Sequence, residues 1–261
     1  MAQRLAVEFR KRGIDVSVIT RYFPHLPTFE TIQGISVYRV IRTLERGPLF
    51  GLSYLFSLGL FLIRRRRKYT VLHIHHLYLD ALTAVLLRPL LGTPVVARAE
   101  GPGEFGDMAR LRGGRFSRSW FRFLRQVDRV VALSAELRDE LLRHGFPERR
   151  ITLIPNGVDT ARFAPALRNE QKPLREPSVV FVGRLIPQKE PELLLRAWPT
   201  VVGRCPGARL LLIGKGPLEA ELRAMAHALG VSDSIRLVGE VSTVEEYLRS
   251  SHVFVLPSKA E

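Results

Sequence analysis

The chain has 261 residues, a single cysteine, 46% hydrophobic residues and a net charge of +15. That length accommodates two α/β domains of ordinary size, and the apolar share excludes a disordered chain. Cys205, alone, excludes an internal disulfide and suits a reducing, cytoplasmic compartment.

Residues 1–12 pattern as an amphipathic helix with Leu5, Ala6 and Phe9 on one face, not as a secretory signal. Val- and Ile-rich strands are expected at residues 15–20, 35–41, 69–74, 94–97, 129–134 and 151–154. Helical stretches at 54–67, 78–90 and 135–144 lie between them. The runs VVAL and ITLI are continuously apolar but for Thr152, the pattern of strands buried on both faces. Such alternation implies βαβ units and mostly parallel sheets. A polar, Pro-containing stretch at 165–177 reads as a linker between a first domain, 1–164, and a second, 178–261. The second domain repeats the rhythm, with strands at 178–183, 209–214, 235–239 and 253–257 and helices at 191–202, 217–229 and 243–250. No strand precedes the opening helix and no helix covers the last strand, so the chain reads as a fragment, both domains incomplete.

The charge is uneven. Residues 1–150 hold 26 Lys or Arg against 13 Asp or Glu, a net +13, while residues 151–261 hold 14 against 12. A basic first half points either to an anionic partner or to an Arg-rich solvated surface. The run LFGLSYLFSLGLFLI at 49–63 leads into Arg64-Arg65-Arg66-Arg67-Lys68. It is shorter than the roughly 20 residues that span a bilayer. It suits a crossover helix packed on the sheet, an interfacial helix with its cations on an anionic membrane surface, or both.

In FVGRLIPQKEPELLLRAW, Gly183 ends a strand, Arg184 follows, and Lys189 stands just before a helix with Pro191 in its first turn. Two cations beside a helix N-terminus, beyond the carboxyl end of a parallel strand, make a diphosphate site. A pair of solvated surface cations is the plainer reading of the same residues. In LLLIGKGPLEAEL, Gly214 and Gly216 bracket the next strand-to-helix turn, where a missing β-carbon lets backbone approach a ligand or simply makes a tight turn.

In order, the chain carries RVVALSAELRDELLRHGFPERRITLIPNGVDTARFAP, VVFVGRLIPQKE, ARLLLIGKGPLEAEL, IRLVGEV and HVFVLPSKAE. This series, with IPNGVD at Asn156-Gly157-Val158-Asp159, resembles glycosyltransferase family four of the GT-B fold. The resemblance implies two Rossmann-like parallel-sheet domains facing a cleft. It implies a retaining transfer of sugar from a nucleotide-diphosphate sugar donor to a hydroxyl of a lipid-linked or polysaccharide acceptor. By resemblance Arg184 and Lys189 hold the donor diphosphate and Glu261 is the first of two glutamates on the donor sugar, the second being expected eight residues later. The family commonly needs no metal, and the chain has no Asp-x-Asp motif. No other cofactor is implied.

Two positions depart from the family. Glu190 stands where a Gly usually follows the donor Lys. Glu100-Gly101 stands where a His often faces the acceptor, and Glu100 there suits a base or a hydroxyl-positioning role. His73, His75 and His76 sit at a strand end where members often carry His-x-His. Of these His75 is the catalytic candidate, a structural role is the alternative, and metal binding lacks evident further ligands. The GPGEFG run at 101–106 matches a dinucleotide fingerprint, but Gly113-Gly114 breaks the helix such a site needs. It more plausibly lines the acceptor side. Two other readings stay open. One is a catalytically inactive fragment that at most binds nucleotide. The other is a basic nucleic-acid-binding protein, against which stand the absent motif and the lack of aromatics within RRRRK, so no nucleic acid is expected as a partner.

Overall fold

The computed structural model describes residues 2–44, 48–101, 103, 106–112, 117–165 and 176–259. The chain divides into two compact units, Met1–Asn156 and Gly157–Glu261.

The first unit opens with α1 (Ala2–Lys11), which buries Ala6. Strands β1 (Ser17–Arg21), β2 (Phe29–Ile32) and β3 (Ile35–Ile41) form a sheet in the order β1-β3-β2, with β1 parallel to β3. β2 and β3 make an antiparallel hairpin closed by Gln33 and Gly34, both at positive φ (53° and 76°). That two-residue turn matches the right-handed twist of the strands. β2 lies outside the sequence expectation because four residues, FETI, are too few to display a period.

There follow α2 (Pro48–Arg64), β4 (Leu72–Ile74), α3 (Leu79–Leu86), α4 (Arg88–Leu91), β5 (Val95–Arg98), α5 (Asp107–Arg112), α6 (Ser117–Leu124), β6 (Arg129–Ala132), α7 (Ala135–Arg143) and β7 (Ile151–Leu153). The four strands are parallel, in the order β4-β5-β6-β7. The expected helix at 78–90 is two helices, because Pro89 has no N–H to bond back across the turn. Ala97, Val130, Ala132, Leu137 and Leu141 are fully buried between this sheet and its helices. The expectation for ITLI needs correction. β7 is an edge strand, and Leu153 and Ile154 are 47% and 52% exposed.

The second unit contains β8 (Ser178–Val182), α8 (Pro191–Arg204), β9 (Arg209–Ile213), α9 (Glu219–Ala228), β10 (Ile235–Gly239), α10 (Val244–Ser250) and β11 (Val253–Phe254). Its strands are all parallel, in the order β10-β9-β8-β11. Trp198 of α8 is buried and its indole N–H donates to Ser234 Oγ at 2.9 Å. Residues 157–164 pack with this unit: Arg162 lies 2.8 Å from Glu245, and Arg249 donates to Arg162 O and Ala164 O. The division therefore falls at Asn156, ahead of residue 164. Residues 166–175 of the expected linker lie outside the described residues.

Candidate functional site

In the second unit the strands run parallel, so the turns after β8, β9 and β11 gather along one edge of the sheet. Arg184 follows β8 and is exposed, and Lys189 ends a 3-10 turn at Pro187–Lys189. α8 starts two residues later with Pro191, which has no N–H, at its first position, and the Leu193 N–H donates to Glu190 O at 3.1 Å, so the positive end of the helix dipole stands next to Lys189. Glu190, between Lys189 and α8, adopts a left-handed conformation at φ 46°. That conformation favours glycine.

Gly183, Gly214 and Gly216 hold the turns against one another. The Gly183 N–H donates to Ile213 O at 3.0 Å, and the Leu185 N–H to Lys215 O at 3.0 Å. A Cβ on Gly214 would stand 2.0 Å from Gly183 O, and one on Gly216 would stand 2.2 Å from Leu185 O. The space these two glycines leave is therefore occupied by the neighbouring turn's backbone. Two further cations reach this edge without having been singled out in the sequence. Lys215 is exposed between the two glycines. Lys259, beyond β11, pairs with Glu190 at 3.0 Å. GKG is itself a signal for the first, whereas nothing local marks the second. Glu261 lies outside the described residues.

In the first unit, His75 and His76 follow β4 and Glu100 follows β5. β4 and β5 are adjacent and parallel, which brings the two turns together. The neighbour of Glu100 is His76, whose Nδ1 is 3.2 Å from Glu100 Oε2. His75 is half-buried beside His73, their ring centroids 4.8 Å apart, and its Nδ1 has no hydrogen-bond partner among the described residues. Burial, with the nearby His73, Arg98 and His76, pushes the His75 imidazole down to about 4, so it is neutral near pH 7. A neutral imidazole can donate one hydrogen bond and accept another but holds no extra proton to deliver. Asp107, absent from the sequence candidates, is buried beneath both turns and accepts the backbone N–H of Leu77 and of Glu100. Pro102, Glu104 and Phe105 of the GPGEFG run lie outside the described residues.

A model of Glycosyltransferase Family 4 matches residues 1–162, and a model of Glycosyl transferases group 1 matches residues 176–261. The chain is 34% identical to the GDP-mannose-dependent alpha-(1-6)-phosphatidylinositol monomannoside mannosyltransferase of Mycobacterium tuberculosis over 143 residues, 51% of this chain and 37% of that one. It is 26% identical to the D-inositol 3-phosphate glycosyltransferase of Rhodococcus opacus over 290 residues, 98% of this chain and 64% of that one. The chain thus spans less than two thirds of the length of either relative. Among solved structures it is similar to Anabaena HepE in complex with UDP and glucose, with a TM-score of 0.68 and 16% identity over 87% of this chain and 62% of that one.

Proposed function

The chain belongs to glycosyltransferase family 4 and has the GT-B fold, and from that premise we propose that it takes part in sugar transfer from a nucleotide-diphosphate donor, with retention, to a hydroxyl of a lipid-linked or glycan acceptor. The observation that carries this reading is the placement of Arg184 just past β8 and of Lys189 just before the N-terminus of α8, at the carboxyl edge of a parallel sheet. Cations and the positive end of the helix dipole there would neutralise the charge that grows on the departing diphosphate as the glycosidic bond breaks. That role needs no metal. In the first unit, Glu100 is assigned to the acceptor hydroxyl, as base or hydrogen-bond acceptor, and neutral His75 to hydrogen bonding. HepE's complex with UDP and glucose supports the donor class, and the inositol acceptors in the relatives' names support a lipid or polyol acceptor.

Arg184→Ala and Lys189→Ala should each weaken nucleotide-sugar binding by about 1.5–3 kcal/mol, the loss expected for a charged hydrogen bond. Calorimetry with UDP-, GDP- and ADP-sugars tests this. Unchanged affinity in both variants, with binding by the unaltered chain, would refute the site.

The acceptor reading extends to a membrane surface. No helix among the described residues is long and apolar enough to cross a membrane. α2 buries Tyr54, Leu58 and Leu62 on one face and exposes Leu49, Leu52 and Phe56, the last 72% exposed, on another. Its carboxyl end runs into Arg64–Lys68. An exposed apolar stripe that ends in cations suits docking on the anionic, cytoplasmic face of a membrane. Sedimentation with anionic vesicles should fall when Phe56 becomes Ser, when the cations become Gln, and when salt is added. Equal sedimentation with neutral vesicles would sink the electrostatic part of this reading.

A further inference from the structure

One carboxylate ties the turns after β4 and β5 together. Asp107 is 2% exposed, and its Oδ2 accepts the N–H of Leu77 at 3.2 Å and of Glu100 at 2.9 Å. Its Oδ1 is buried and has no hydrogen-bond partner among the described residues. A buried carboxylate oxygen without a donor is costly, so its situation calls for an explanation. His76 Nδ1, 3.2 Å from Glu100 Oε2, is also buried and makes no hydrogen bond of good geometry among the described residues. Ligand-type atoms of His76, Glu100 and Asp107 all lie within 4.8 Å of one another.

We infer that His76, Glu100 and Asp107 form a binding site for a divalent transition-metal cation, with Zn2+ the best chemical match. Zinc bonds of about 2.0–2.2 Å in a tetrahedron hold ligand atoms about 3.4 Å apart. The His76–Glu100 separation of 3.2 Å already has that span. The widest separation in the group, 4.8 Å at most, closes with a small side-chain movement. One imidazole and two carboxylates suit zinc and its neighbours, whereas Mg2+ prefers oxygen ligands and keeps its water. A ligating carboxylate is usually held by hydrogen bonds of its own, and the two backbone N–H groups on Asp107 Oδ2 supply them. Three protein ligands leave a fourth position for water or a ligand atom. The site stands apart from the donor reading, which needs no metal. A bound cation would engage Glu100, the carboxylate assigned above to the acceptor hydroxyl.

The test is calorimetric titration of the metal-stripped full chain with ZnCl2, with MgCl2 in parallel. One equivalent of Zn2+ should bind, Mg2+ should not, and His76→Ala, Glu100→Gln and Asp107→Asn should each lower zinc affinity at least about tenfold. Asp107 also ties two turns, so its variant is checked by thermal melting. If that variant unfolds, His76→Ala and Glu100→Gln carry the test, because those side chains are 42% and 41% exposed. Failure to bind Zn2+, or equal binding by the unaltered chain and the folded variants, overturns the proposal. Donor-sugar binding by the unaltered chain, measured on the same sample, separates the two readings: absent donor binding counts against the transferase site, absent zinc binding against this one alone.

Discussion

Lys259 Nζ lies 3.0 Å from Glu190 Oε1, and the Lys259 backbone N–H donates to Gln188 O at 3.0 Å. The segment after β11 is thereby fastened twice to the turn that carries Lys189. The lysine side chain is 63% exposed, so the ion pair contributes no more than about 1 kcal/mol to stability. Lys259→Ala should accordingly leave the urea midpoint nearly unchanged while weakening nucleotide-sugar binding severalfold, because the Lys189 turn loses one of its two anchors. Donor affinity equal to that of the unaltered chain would show that the turn is held without the pair.

Glu190 itself carries backbone strain. A side chain with a Cβ at φ 46° costs about 1–2 kcal/mol relative to glycine. Glu190→Gly and Glu190→Ala both lose the contact with Lys259, but only the glycine relieves the strain. The Gly variant should therefore be more stable than the Ala variant by about 1 kcal/mol in urea denaturation. Equal stabilities would mean that this turn relaxes out of the left-handed region.

The turn glycines should divide sharply from a helical one. A Cβ at Gly214 meets Gly183 O at 2.0 Å, a backbone atom that cannot step aside, and φ there is +133°. Gly214→Ala should destabilise the second unit by about 3 kcal/mol and weaken donor binding along with it. Gly203 lies inside α8 with nothing within 4 Å of the added carbon. Gly203→Ala should instead stabilise by up to about 1 kcal/mol. Paired thermal melts decide the matter, and similar shifts for the two variants would contradict the packing described.

His75 gives a pH signature of known sign. Its folded value, pushed down to about 4 by burial first and then by His73, Arg98 and His76, lies below the roughly 6.5 of an unfolded chain. Between those values the unfolded state binds more protons, so the contribution to stability is complete above about pH 6.5 and is lost as pH falls toward 4. The half-buried ring is screened by solvent, which reduces the size but not the sign. Melting midpoints of the unaltered chain should fall relative to His75→Gln across that window. Parallel curves would show that the ring titrates as it does in solvent.

Much of this architecture is written in local pattern. Alternating Val- and Ile-rich runs and helical periods specify parallel βα units, because a strand buried on both faces and a helix packed on it each leave a repeating apolar signature. The same pattern puts Arg184 just past β8 and Lys189 just before α8, since a residue that follows a parallel strand lies on the carboxyl edge of the sheet. Glu190 at a glycine position is legible too, as a departure in a recognisable series, and its positive φ is the structural counterpart.

The remainder depends on which distant turns meet. Nothing in the spacing says that Glu100 faces His76 and not His75, because adjacent residues of a turn point in different directions and the choice is made by the loop's path. Asp107 reads as an ordinary acid at the start of a short helix. Its bonds to Leu77 and Glu100 arise because neighbouring parallel strands bring their following turns together across long crossovers. The glycines of GKG likewise read equally as room for a ligand or as a tight turn, and only the assembled sheet shows that the room is filled by the turn after β8. Hydrophobic period encodes which face of an element is buried. Contacts between side chains on separate turns carry no period, and they take shape only when the sheets assemble.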